Sequence, residues 1–289
     1  MRTSIEIIEL VLSYAVNDAR IRAVGLNGSR TNPNAPKDLF QDFDIVYVVT
    51  EMNSFIEDQH WIDVFGERII MQTPGNMSMF SSDFGERFSY LMLFTDGNRI
   101  DLTLVSNVEK DTYYKEDKLT VILLDKDNSL PELLPPTDED YWVKRPSAEF
   151  FSDCCNEFWW VSTYVAKGLW RREILYAGEH LNNIMRPMLL KMLEWKVGIE
   201  NSYSVSIGKY GKYLKKYLSE NDWQELLSTY ANGSCKDMWR VLFAILVLFR
   251  STAIFVADGL GYEYSREEDD KVTAYLEHIK QLSPNAKIY

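Results

Sequence analysis

The stretch Leu26-Asn27-Gly28-Ser29-Arg30 leads, through a polar connection, into Asp42-Phe43-Asp44-Ile45-Val46-Tyr47-Val48-Val49. Twelve residues separate Ser29 from Asp42. The apolar run after Asp42 reads as a strand, in which residues i and i+2 share a face. Asp42 and Asp44 then project together, while Phe43, Ile45, Tyr47 and Val49 face a core. Strand interiors disfavour Asp, so two in one apolar run call for an explanation. Two carboxylates held this close repel unless a cation lies between them. Mg²⁺ takes one or two carboxylates together with phosphate oxygens. A Gly-Ser turn just upstream can bring backbone N–H groups and a hydroxyl to those phosphates. Arg30 is a further candidate for phosphate, with an exposed surface arginine as the competing reading.

A third acid follows on a second strand. Arg99-Ile100-Asp101-Leu102-Thr103-Leu104-Val105 alternates, with Ile100, Leu102 and Leu104 on one face and Asp101 and Thr103 on the other. Beside the first strand, Asp101 would join Asp42 and Asp44 as a metal ligand, a general base, or both.

Charge narrows the partners. The chain of 289 residues has a net charge of −12. Residues 1–150 hold 14 Lys and Arg against 26 Asp and Glu, whereas residues 151–289 hold 17 of each. The half carrying the acid pair is therefore the acidic half. Such a surface attracts metal ions and small polycations and repels nucleic acid. Cys154, Cys155 and Cys235 form neither a disulfide framework nor a zinc spacing, so buried thiols in a reducing, cytoplasmic setting are expected. No cleavable signal is expected at the N-terminus. Val241 to Phe249 is the strongest apolar run, short of the roughly 20 residues that span a bilayer. It reads as a helix buried in a bundle.

The patterning divides the chain. Residues 1–135 read as an α/β domain with a mixed sheet. Ile5, Ile8, Leu12 and Val16 recur at helical spacing over residues 3–18. Helical spacing returns over residues 54–65, and Thr95-Asp96-Gly97-Asn98 is a hairpin signal. Residues 136–147 contain Pro136 and Pro146 and read as a linker. From residue 148 to 289 the pattern is helical throughout, with candidate helices at 149–170, 172–197, 209–219, 221–229, 236–260 and 267–282. In the helix expected at 209–219, Lys209, Lys212, Lys215 and Lys216 fall near one face. A solvated face is one reading; contact of Lys209 or Lys212 with nucleotide phosphates is the other. Glu157 and Glu179 are candidates for the ammonium or guanidinium groups of a cationic ligand, and Phe158-Trp159-Trp160 for stacking or core.

The Gly-Ser turn, the spacer of roughly a dozen residues, the Asp-x-Asp strand and the later Asp resemble the nucleotidyltransferase signature. Further stretches narrow the likeness: Gly28-Ser29-Arg30-Thr31-Asn32, Phe40-Gln41-Asp42-Phe43-Asp44-Ile45, Val64-Phe65-Gly66-Glu67-Arg68, Leu124-Asp125-Lys126-Asp127, Pro136-Thr137-Asp138-Glu139-Asp140-Tyr141, Cys154-Cys155-Asn156-Glu157-Phe158-Trp159 and His180-Leu181-Asn182-Asn183-Ile184. These resemble the aminoglycoside 6-adenylyltransferases, streptomycin-modifying enzymes, over nearly the whole chain. The resemblance implies a nucleotidyltransferase-like N-terminal domain followed by an all-α helical bundle. It also implies Mg²⁺ and transfer of AMP from ATP to the 6-hydroxyl of streptomycin, which inactivates the antibiotic. A protein or tRNA acceptor, or a silent nucleotide-binding module, is the alternative.

Overall fold

The computed structural model describes residues 1–79 and 86–286. The last three residues of the expected helical domain lie outside them. The chain divides into two compact units, Met1–Asp140 and Tyr141–Tyr289.

The first unit runs α1 (Ser4–Asn17), β1 (Ile21–Asn27), β2 (Phe43–Val49), α2 (Met52–Glu57), β3 (Arg68–Gln72), β4 (Arg87–Phe94), β5 (Arg99–Ser106), α3 (Lys110–Glu116) and β6 (Thr120–Asp125). The strands form one sheet in the order β3-β4-β5-β2-β1-β6. The β2–β5 pair is parallel and the other neighbours are antiparallel, so the sheet is mixed as expected. Phe43, Ile45, Tyr47 and Val49 of β2 are buried against Ile100, Leu102 and Leu104 of β5. Burying each of these large apolar side chains contributes roughly 1.5–3 kcal/mol. Trp61 fills the layer above them, with its ring 5.0–6.3 Å from those of Phe55, Tyr90, Tyr14, Phe65 and Tyr47. On the opposite face Val46, Val48, Ala23 and Val105 pack with Tyr113 of α3.

Local chemistry places the boundaries. Thr3 caps α1 through a reciprocal pair with Glu6, the Thr3 N–H donating to the Glu6 carboxylate at 2.7 Å and Glu6 N–H to the Thr3 hydroxyl at 3.3 Å. The buried stripe of α1 is Ile7, Val11 and Ala15; of the four apolar residues at helical spacing, Ile8 and Leu12 pack partly buried against the core and Ile5 and Val16 are exposed. Apolar residues ring much of this helix, so their spacing alone did not identify the stripe meeting the sheet. The helix expected over residues 54–65 is a short α2 followed by a 3₁₀ stretch, Gln59–Phe65. Asp58 causes the break by accepting the His60 N–H and capping the second piece at the expense of the first. In the β4–β5 hairpin, Gly97 adopts φ +84°, and Phe94 N–H donates to Asn98 O at 2.9 Å.

The second unit is helical: α4 (Ala148–Trp170), α5 (Ile174–His180), a π-helical turn (Leu181–Met185), α6 (Arg186–Glu200), α7 (Leu214–Tyr217), α8 (Glu220–Ser228), α9 (Cys235–Leu260) and α10 (Arg266–Gln281). Ser147, Ser219, Ser234 and Ser265 each accept the backbone N–H three residues on, starting α4, α8, α9 and α10. Phe158 of α4 stacks on Phe249 of α9 at 3.6 Å between centroids. Phe158 and Trp159 are thus core, leaving Trp160 exposed. Among the described residues one helix, α9, is long and apolar enough to cross a membrane; just over half of its apolar window is buried inside the bundle. Cys154 and Cys155 are buried free thiols, and Cys235 is partly exposed.

Residues 209–219 do not form the expected helix. Lys209–Gly211 is a 3₁₀ turn, and α7 spans only Leu214–Tyr217. Gly208, Tyr210 and Gly211 take φ of +68°, +58° and +76°, which interrupts a right-handed helix. Lys209 and Lys212 therefore do not share a helix face with Lys215 and Lys216.

A close approach inside the sheet is directly testable. A Cβ on Gly25 of β1 would lie 1.9 Å from the Tyr113 hydroxyl. Gly25→Ala is expected to lower stability by about 2–3 kcal/mol in urea denaturation. In a Tyr113→Phe background the same substitution should cost less, because the nearest atom is gone.

Candidate active site

The parallel register of β2 and β5 sets Asp44 directly opposite Asp101. Asp42 lies one residue before β2 begins. Asp44 and Asp101 are partly buried. Burial, and then the negative charges of Asp101 and Asp42, push the Asp44 carboxyl up from 3.8 to about 6. Arg99 and Arg30 pull it down without cancelling that rise. A carboxylate so placed gains from any cation that enters.

The Gly-Ser turn adjoins this cluster because Asn27, the last residue of β1, pairs with Asp44. Residues Gly28–Arg30 form a 3₁₀ turn, with Gly28 at φ +73°. A Cβ on Gly28 would sit 2.2 Å from Oδ2 of Asp44. Glycine is required here by close approach as well as by backbone angle. The Gly28 N–H donates to Leu119 O at 3.1 Å, so this N–H is already engaged within the protein. Gln41, a residue that sequence reasoning passed over, donates from Nε2 to Ser29 O at 3.2 Å. Asn27 is held by the Tyr113 hydroxyl at 2.5 Å and itself donates to Thr120 Oγ1 at 2.8 Å.

Two arginines border the acids in different ways. Arg30 donates to Asp42 O at 2.9 Å, Gln41 O at 2.7 Å and Ser4 Oγ at 3.0 Å. Its guanidinium lies 3.4 Å from the Phe43 ring centroid. Arg30 thus clamps the backbone that enters β2. Arg99 instead turns to the acids. Its Nε and Nη2 donate to Asp101 at 2.8 and 2.7 Å, and Nη1 lies 3.7 Å from Asp42 Oδ2. Arg99 was not among the residues expected from sequence. Its position two residues before Asp101 on an alternating strand is the signal that places it on the acids' face.

The remaining candidates belong to the second unit. Lys209 and Lys212 lie over the rings of Tyr210 and Tyr213, at 5.4 and 5.0 Å from their centroids. Glu157 is exposed on α4. Glu179 on α5 accepts a hydrogen bond from Asn183 at 2.7 Å.

Asp42, Asp44 and Asp101 offer the all-oxygen donors that a hard divalent cation takes. The raised Asp44 and the guanidinium drawn between Asp42 and Asp101 both fit a cation at this place. Among the described residues no three His, Cys, Asp or Glu side chains are arranged to hold a metal ion as they stand. Asp101 has both oxygens turned onto Arg99.

Residues 1–279 match the family model described as streptomycin adenylyltransferase. The chain is 48% identical to the aminoglycoside 6-adenylyltransferase of Bacillus subtilis (strain 168), over 96% of this chain and 98% of that protein. It is 47% identical to the enzyme of that name from Campylobacter jejuni, over 96% and 95%. The corresponding figure for the Staphylococcus aureus enzyme is 39%, over 93% and 95%. A crystal structure of an aminoglycoside 6-adenyltransferase from Bacillus subtilis aligns over 98% of this chain and 100% of that one, at 44% identity and a TM-score of 0.49.

Asp44 gives the metal-free protein a characteristic pH response. Its folded-state value lies above the ordinary 3.8, so the folded chain holds a proton that the unfolded chain has released between 3.8 and about 6. Stability must fall as pH rises through that window. Asp44→Asn should remove the fall, leaving the variant more stable than the native chain at neutral pH by on the order of 2–3 kcal/mol. At about pH 4 the two should be nearly equal. Urea titrations with a chelator present measure both.

Proposed function

We propose that this chain, which belongs to the streptomycin adenylyltransferase family and is a nucleotidyltransferase, moves the adenylyl group of ATP to the 6-hydroxyl of streptomycin. The observation that carries the reading is the opposition of Asp44 to Asp101, with Asp42 alongside and the Gly28-Ser29 turn against Asp44. The acceptor oxygen attacks the α-phosphorus, the bond to the bridging oxygen of pyrophosphate breaks, and the hydroxyl proton passes to a carboxylate oxygen of Asp101. Asp42, Asp44 and Asp101 would hold Mg²⁺. When bound, the metal supplies neutralisation of the phosphate charge and of the leaving pyrophosphate. Ser29 donates its hydroxyl to a phosphate oxygen, and Gly28 lets the turn lie close to Asp44. Arg30 serves by fixing the backbone of Asp42. Holding the reactants in line, in a prearranged field, supplies most of the rate gain.

Charge supports a small cationic acceptor over nucleic acid, because the first 150 residues carry 26 acids against 14 basic residues. The guanidinium groups of streptomycin suit that field. We assign residues 1–135 to catalysis and 148–289 to substrate and nucleotide binding. On charge alone, Lys209 and Lys212 are assigned to the triphosphate, and Glu157 and Glu179 to the aminoglycoside. A cytoplasmic setting supplies the ATP and keeps the three cysteines reduced.

With α-labelled ATP, Mg²⁺ and streptomycin, label should move to the antibiotic with stoichiometric pyrophosphate release. Mass and NMR analysis should place the adenylyl group on the 6-hydroxyl. Asp42→Asn and Asp44→Asn should each lower kcat/KM at least about 100-fold. Absence of transfer by the native chain, or unchanged rates in both variants, would overturn the assignment. Label appearing on a protein of a cell lysate in place of streptomycin would move the assignment to that acceptor.

A further inference from the structure

We infer that Arg99 is an exchangeable counter-ion of the carboxylate cluster, which holds Asp101 and Asp42 until a divalent cation displaces it. The inference rests on the reading that these acids bind the metal.

Arg99 opens β5, next to the turn of the β4–β5 hairpin. Residues i and i+2 of a strand face the same way, so its side chain runs along the sheet to Asp101. There it makes a two-pronged contact, Nε to Oδ1 at 2.8 Å and Nη2 to Oδ2 at 2.7 Å. The third nitrogen lies 3.7 Å from Asp42 Oδ2. One guanidinium therefore spans two of the three acids on which the proposed chemistry depends.

This geometry sets Arg99 in competition with a cation. The fork occupies one lone pair on each oxygen of Asp101 and holds a positive charge between Asp101 and Asp42. A divalent cation entering between these two acids meets that charge and gains by displacing it. Release is structurally cheap. The Arg99 side chain is 44% exposed, against 18% for Asp101 and 35% for Asp42. Its guanidinium can swing into solvent without opening the core, which is made by Ile100, Leu102 and Leu104 on the other face. Partly exposed pairs of this kind are weak, because water competes for both partners. Arg30 cannot substitute, because its donors are engaged by the carbonyls of Gln41 and Asp42 and by the Ser4 hydroxyl. Arg99 thereby keeps like charges together in the resting protein and sets how readily a divalent ion enters.

The test is Mn²⁺ binding, followed by the EPR signal of the free ion, with and without the α,β-methylene analogue of ATP. The native chain, Arg99→Gln, Arg99→Lys and Asp44→Asn are compared. Arg99→Gln should bind Mn²⁺ about 2–5-fold more tightly than the native chain, the fold-change matching loss of such a pair. Arg99→Lys, which keeps the charge but loses the fork, should fall between them. Without metal, Arg99→Gln should melt at a lower temperature than the native chain, and saturating Mn²⁺ should close that gap. Unchanged or weaker binding by Arg99→Gln, while Asp44→Asn loses binding, overturns the counter-ion role and leaves the metal reading standing. Mn²⁺ binding by Asp44→Asn equal to that of the native chain overturns both. If Arg99→Gln fails to fold, Arg99→Lys decides by the same comparison.

Discussion

The parallel pairing of β2 with β5 is the constraint on which the rest of the site depends. It puts Asp44 opposite Asp101, one strand spacing of about 4.8 Å away. Two carboxylates would not choose this proximity. The register is held from the other face, where Phe43, Ile45, Tyr47 and Val49 lock against Ile100, Leu102 and Leu104. A slip of one residue would turn the acids into the core and the apolar side chains out. The electrostatic cost of the acid cluster is thus carried by the hydrophobic register beneath it.

A second constraint is steric. Asn27 at the end of β1 pairs with Asp44, so the turn that follows must pass over that carboxylate. Only glycine fits at residue 28, since a Cβ there would collide with Asp44 Oδ2. Asn27 is fixed from the side by Tyr113 and Thr120, and the Gly28 N–H is tied to Leu119. The turn is therefore anchored at the end of an inner strand of the sheet. The Thr31 N–H is likewise tied back to Gly28 O.

Much of this was legible in the chain. The alternation around Asp42, Asp44 and Asp101 placed three acids on one face and seven apolar residues on the other, because period two is a strong local signal. The mixed sheet followed by helices was equally plain. What escaped was whatever depends on competition between neighbours. Ile5 and Val16 of α1 share the helical spacing of Ile8 and Leu12 yet face solvent, since a helix with apolar residues around much of its girth does not announce its buried stripe. Residues 209–219 read as one helix, but Gly208 and Gly211 permit positive φ and the chain uses it, at Tyr210 as well. Residues 54–65 divide where Asp58 finds a backbone N–H to cap.

The two arginines show the same limit at the level of chemistry. Arg30 stands beside the Gly-Ser turn and invited a phosphate role, yet its donors reach the carbonyls of Gln41 and Asp42. Arg99 stands beside Asp101 and drew no attention, yet its fork grips that acid. Residue type is identical, and what separates them is the backbone on which each sits. A 3₁₀ turn folds Arg30 back over Phe43, so its charge is used to shape the chain. An extended strand aims Arg99 along the acids' face, so its charge is used on the acids. With one guanidinium set against two of the three carboxylates, the cluster still carries an excess of negative charge, which favours every further cation that can reach it.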